Sequence, residues 1–191
     1  MSSFSRKAAL GVAAALTAAC AASMSAGVAS AAPATPAARA AHALPAVPAV
    51  NPVPLPWPVV GPGNPVAYRV RDIQYLLNDR INAHLVPDGM YGPLTKAAVE
   101  KFQGIWDLPV TGVVGPETWQ RLIIQITYGN IGGAVQALQQ NLNVLGYSLA
   151  VDGSYGNETR AAVQNYQGRV QIPTDDIVGP VTWSYLVNGR S

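Results

Sequence analysis

Cysteine, histidine and charge are all scarce in this chain of 191 residues: there is one cysteine, there are two histidines, and 12% of the residues are charged. Cys20 lies close to the N-terminus, so the rest of the chain offers neither a disulfide framework nor a thiol nucleophile. A zinc centre needs several His, Cys or carboxylate ligands brought together, and His42 and His84 do not suggest one; no metal or other cofactor is expected. The formal charge is +2, but Arg6 and Lys7 belong to the leading segment, and without them ten basic residues face ten acidic ones. Such a balance lacks the electrostatic footprint of a nucleic-acid binder, and no Lys/Arg cluster marks a membrane-surface protein. The apolar stretch Ala8–Ala22 is shorter than the ~20 residues a spanning helix needs, and it is built of Ala, Gly and Ser more than of Leu or Ile.

What is present at the N-terminus is the three-part layout of a secretory signal peptide: Arg6-Lys7, the apolar stretch, then Ala29-Ser30-Ala31. Residues 1–31 are expected to be removed and the protein to be secreted. Anchoring through an acylated Cys20 fits less well, because Thr17 stands where a lipoprotein signal has Leu. Residues 32–65 are rich in Ala, Val and Pro and hold ten of the sixteen prolines. That composition predicts a disordered tether with polyproline II character, reaching roughly 100 Å at ~3.1 Å per residue if fully stretched. His42 and Trp57 lie within it and receive no role.

Beyond the tether the chain repeats itself. Asp88-Gly89-Met90-Tyr91-Gly92 returns as Asp152-Gly153-Ser154-Tyr155-Gly156, and this spacing of 64 holds to the end of each copy, from Thr95 and Thr159 to Leu122 and Leu186. Upstream, Val70, Leu77 and Asn78 return as Val135, Leu142 and Asn143 at a spacing of 65, so one residue has been gained or lost in the intervening loop. Apolar residues recur at steps of three and four. Val70, Ile73, Leu76 and Leu77 mark a first helix, Ala98, Val99 and Phe102 a second, and Trp119, Leu122 and Ile123 a short third, each with its counterpart in the second copy. The later helices open with one device, Gly92-Pro93-Leu94-Thr95 and its relatives at Gly115, Gly156 and Gly179, because proline at the first helical position forfeits no intrahelical bond. The expected fold class is all-α: two tandem three-helix modules, 68–124 and 132–188, each near the lower size limit for a disulfide-free domain.

Taken together, Asp-Gly-x-Tyr-Gly-x-x-Thr, Leu108-Pro109-Val110-Thr111-Gly112 and Gly115-Pro116-x-Thr118-Trp119 closely resemble the peptidoglycan-binding domain type 1 family. The resemblance implies a three-helix module that targets bacterial wall enzymes to peptidoglycan. The second copy departs from the pattern at Ile172-Pro173-Thr174-Asp175-Asp176, where Asp176 replaces the glycine of the Thr-Gly turn.

Catalysis finds little support in the residues. An Asp directly before Gly is a turn former, a glycosidase needs two carboxylates facing one cleft, and each copy offers a single such Asp. Ser154 has no histidine in its copy with which to build a triad. The expectation is therefore a protein that is no enzyme, with no catalytic residues, binding peptidoglycan through glycan or stem peptide with two modules at once. The alternative is a secreted interaction protein that binds a wall-associated hydrolase. The candidate ligand-binding residues cluster at the turn and the helix start: Asp88, Tyr91, Gly92, Thr95 and Gln103 in the first copy, Asp152, Tyr155, Gly156, Thr159 and Gln167 in the second. Aromatic side chains bury large areas, which favours core packing over ligand contact for the two tyrosines.

Overall fold

The computed structural model describes residues 52–189; the predicted signal peptide, Cys20, His42 and the tether up to residue 51 lie outside the described residues. Six helices follow one another: α1 (Ala67–Ile81), α2 (Pro93–Ile105), α3 (Pro116–Leu122), α4 (Gly133–Val144), α5 (Asn157–Arg169) and α6 (Pro180–Val187). Among the described residues, β-type pairing is confined to isolated bridges, Val60 with Val114, Ile126 with Val178 and Ile131 with Ser154. The fold is thus all-α, with three helices in each copy.

The helices form where the apolar spacing places them. Val70, Ile73, Leu76 and Leu77 of α1 are buried, as are Val135, Leu138 and Leu142 of α4, each set forming one stripe. Gly92, Gly115, Gly156 and Gly179 cap α2, α3, α5 and α6 with extended backbone, and Pro93, Pro116 and Pro180 occupy the first helical turn. The capping amides gain no side-chain acceptor from the glycines themselves.

Both copies contribute to one hydrophobic core, joined where α1 packs on α4. Across this seam Asn141 donates to Asp72 at 2.8 Å, inside the core. Asp79 of α1 caps α4 from the neighbouring module, accepting from Gly133 N at 3.0 Å and Ala134 N at 2.6 Å. Gly133 has to be glycine for this approach, since a Cβ there would lie 2.9 Å from both the Asp79 carboxylate and the Tyr75 carbonyl oxygen. Two modules that are each marginal alone thereby share a single larger core.

The described end of the Pro-rich segment departs from the expectation of a free tether. Val60 is fully buried and pairs with Val114 through two backbone hydrogen bonds of 3.0 and 2.8 Å. Trp57 stacks on Trp119 with ring centroids 5.8 Å apart, and the Trp119 indole donates to the Pro58 carbonyl at 2.8 Å. The second copy repeats this arrangement: Val178 pairs with Ile126, and the Trp183 indole donates to the Ile124 carbonyl at 2.8 Å. The physical reason is the buried tryptophan, whose N–H must find an acceptor; proline lacks a donor but keeps its carbonyl. Further upstream, Leu55 N donates to Ser184 Oγ at 2.8 Å, so this arm also reaches α6 of the second module.

Candidate functional site

The Asp-Gly turn is held from behind by a buried glutamine of the first helix. Gln74 Oε1 accepts from Gly89 N at 3.0 Å, while its Nε2 lies 2.8 Å from Asp88 Oδ1 and 3.2 Å from both Met90 O and Thr95 Oγ1. Asp88 Oδ1 also accepts from Met90 N at 2.8 Å, the local bond of an Asx turn. Gly89 takes φ +79°, and a Cβ there would sit 2.9 Å from the Ala67 carbonyl oxygen, so only glycine fits. In the second copy Gln139 does the same work with Gly153, Asp152, Ser154 and Thr159 at 2.8 to 3.2 Å.

The same device recurs inside each copy, with its turn 23 residues further on and a glutamine of the second helix in place of one from the first. Gln103 Oε1 accepts from Thr111 N and Gly112 N, both at 3.0 Å, and its Nε2 donates to Val113 O and Thr118 Oγ1 at 2.8 and 3.1 Å. Gln167 binds Asp176 N, Asp175 Oδ1, Ile177 O and Thr182 Oγ1 in the corresponding way. Asp176 adopts φ +53° where Gly112 has +66°, a left-handed conformation that Asp tolerates better than most residues. The departure of the second copy from the Thr-Gly pattern therefore leaves this turn in place.

The two turns of a module are linked by its tyrosine. The Tyr91 hydroxyl donates to Gly112 O at 2.9 Å and the Tyr155 hydroxyl to Asp176 O at 2.7 Å. Both rings are buried, at 8% and 1% exposure, so neither offers a face to a sugar. Burial, with Glu100 nearby, raises the Tyr91 phenol above its ordinary range; burial and then Asp176 do so for Tyr155, and both stay protonated.

Of the ten candidate residues, Thr95, Gln103, Thr159 and Gln167 are buried with the tyrosines in this scaffold, and Gly92 and Gly156 are half-buried helix caps. Asp88 and Asp152 are exposed. The hydrogen bonds from Gln74 and then Met90 hold the Asp88 carboxyl below its ordinary range, and those from Gln139 and then Ser154 do so for Asp152. Each presents its carboxyl group at the mouth of a hollow, about 340 Å³ beside Asp88 and about 400 Å³ beside Asp152. Such a site can accept hydrogen bonds and hold a cationic group; a carboxyl kept ionised is poorly suited to donate a proton. Among the described residues, no three His, Cys, Asp or Glu side chains converge as a metal-holding group.

Gln74 and Gln139, which organise both sites, escaped the sequence reasoning because a polar residue in an amphipathic helix reads as solvated. Their signal is the recurrence at a spacing of 65, the same spacing that relates Val70 to Val135.

A family model described as "Putative peptidoglycan binding domain" matches residues 67–122 and again 131–186. A zinc D-Ala-D-Ala carboxypeptidase of Streptomyces albus G is 31% identical over 123 residues, 62% of this chain and 45% of that protein. An N-acetylmuramoyl-L-alanine amidase of Bacillus licheniformis, CwlL, is 46% identical over 57 residues, 28% of this chain and 16% of that one. The chain thus spans less than half the length of these relatives. A peptidoglycan-binding protein from Clostridioides difficile, solved with glutamine hydroxamate, is 37% identical over 35% of this chain and 43% of its own, with a TM-score of 0.34.

Proposed function

This chain belongs to the peptidoglycan-binding domain family, twice over, and on that footing we propose that it is a secreted, non-catalytic protein that holds bacterial cell-wall peptidoglycan with both modules. The observation that carries this reading is the preservation of the whole device in both copies: glutamine, left-handed turn, ionised aspartate and adjoining hollow recur with hydrogen bonds matching to within 0.1 Å. Two weak sites on one chain raise avidity through effective concentration.

The test is sedimentation of the full chain with purified insoluble peptidoglycan. Asp88→Asn and Asp152→Asn should each weaken retention, and the pair together more than either alone. Recovery of the unmodified protein wholly in the supernatant overturns the reading, and a cleared band in a gel with embedded walls overturns its non-catalytic part.

A second reading, an interaction protein that binds a wall-associated hydrolase, draws support from the exposed Ile105, Val110 and Ile131 side chains, at 59%, 60% and 81% exposure. A protein partner recovered from culture supernatant free of wall material, and lost on substituting these residues, would favour it.

A further inference from the structure

The two hollows occupy corresponding places but differ in chemistry. Beside Asp88 the wall is Val86, Met90, Pro93 and Leu94; at the corresponding positions beside Asp152 stand Ala150, Ser154, Asn157 and Glu158. The first-copy side chains are also exposed, Val86 at 74%, Met90 at 66% and Leu94 at 79%. In the first copy a second hollow of about 410 Å³ shares His84, Leu85 and Leu94 with the first and continues along α2 past Ala97 to Lys101. The corresponding face of α5 carries Glu158, Ala161, Asn165 and Arg169.

The extra residue of the first copy falls in the loop that walls both hollows: Asn78 brackets Leu85 seven residues on, while Asn143 brackets Leu149 six residues on. Asn82 and His84 in that loop both take positive φ, at 50° and 53°.

We propose that this continuous groove of the first module binds the peptide stem of peptidoglycan and not its sugar chain, and that the second module lacks this specificity. The proposal rests on the peptidoglycan reading above and deepens it. Three features of the groove argue for a peptide. Its lining is largely aliphatic, with no exposed tyrosine, tryptophan or phenylalanine: His84 supplies the single exposed ring, a small imidazole, Tyr91 is buried, and the exposed Trp106 lies outside both hollows, beside the guanidinium groups of Arg80 and Arg121 at 5.9 and 5.8 Å. Sugar faces are held by aromatic plates, whereas the methyl groups of alanine suit Val86, Met90 and Leu94.

Its charges are also separated. Asp88 is exposed and lines only the first hollow, its Oδ1 engaged by the turn and by Gln74, and Lys101 lines only the second, with no carboxylate partner among the described residues. A stem peptide carries a free ammonium on its diamino acid and a terminal carboxylate, which match that order; a neutral glycan matches neither. The dimensions agree as well. From Leu94 to Lys101 the helix advances about 10 Å, the reach of three extended residues.

The experiment is amide chemical-shift mapping on the full chain with two probes, a synthetic stem tetrapeptide with a free side-chain amine and an N-acetylglucosamine tetrasaccharide. It is run beside the sedimentation assay. The stem peptide is expected to shift the amides of 84–101, and Leu94→Gln combined with Lys101→Asn, both copying the size or identity found in the second module, should weaken it about tenfold or more. Both positions are exposed, and native hydrogen-exchange protection in the variant would establish that it folds. Shifts at the groove from the tetrasaccharide alone, shifts from the peptide confined to the second module, or no shift at the groove from a chain that still sediments with the wall would each overturn this inference while leaving the peptidoglycan reading standing. A chain that neither shifts nor sediments would overturn both.

Discussion

Asn141→Leu removes the single hydrogen-bond donor that the buried Asp72 carboxyl has among the described residues. Asp72 is 1% exposed, Oδ1 accepts from Asn141 at 2.8 Å, and Oδ2 has no partner. Burial drives its pKa well above the ordinary 3.8, against the opposing pull of the Asn141 bond and then of Arg69 and Arg71. The variant leaves both oxygens unsatisfied in the core, and a loss of about 2 kcal/mol is expected, the usual cost of a buried polar group stripped of its partner. The repeat suggests the repair: the positions corresponding to Asp72 and Asn141 are Ala137 and Leu76, both fully buried. Asp72→Ala with Asn141→Leu installs that same apolar combination and should return the protein at least to its starting stability, because apolar replacement of both partners is often neutral or stabilising.

The pH dependence follows from the raised pKa. Below about pH 3.8 the carboxyl is protonated in the folded and the unfolded chain alike. As pH rises beyond that value the unfolded chain releases its proton while the fold retains it, so stability falls, by at most about 1.4 kcal/mol per pH unit, until the folded carboxyl also ionises. Asp72→Asn abolishes this slope. Asp88 and Asp152, whose folded pKa values are lowered, act in the other window: their contribution is present above the ordinary value and lost as pH falls below it. Urea unfolding followed by tryptophan fluorescence from pH 3 to pH 8 reads all of these. Asn141→Leu within about 0.5 kcal/mol of the parent, or a double variant no better than the single, would refute the account of the seam.

Asp79→Ala should cost about 1 kcal/mol through loss of the cap on α4, and Gly133→Ala more than that, because its Cβ meets a backbone carbonyl; urea midpoints measure both. Trp57→Ala should cost about 2 kcal/mol by removing the stack on Trp119 and should speed proteolysis near residue 60, whereas an arm that contributes nothing would leave both unchanged. Gln74→Leu should cost about 2 kcal/mol and slow no binding step at the second module, since the amide of Gly89 loses a buried acceptor in the first module alone; amide exchange at Gly89 reports it directly.

The helices were legible because their signals are local and periodic: Val70, Ile73, Leu76 and Leu77 fall on one face whatever surrounds them. The glycine-led starts at Gly92 and Gly115 were legible because the conformational demands of Pro and Gly are the same in every fold. The roles of Asp79 and Asp72 were not, since both look like solvated charges until α4 arrives from the other copy. The arm was hidden for a different reason. Residues 52–60 dock through Trp57, Val60 and the carbonyls of Pro56 and Pro58, and a carbonyl leaves no trace in a side-chain pattern. At the site itself Asp-Gly marks a turn whatever surrounds it, while the glutamines that hold it acquire their role only through tertiary contacts.

The bond from Leu55 to Ser184 joins positions 129 residues apart, and Asn188 reaches back to Pro56 O at 3.1 Å beside it. A pull transmitted along the chain towards Pro52 is therefore met by α6 of the second module at Leu55 and Pro56 and by α3 of the first at Trp57 and Pro58. Tension applied at this arm is divided between both modules instead of falling on the first alone.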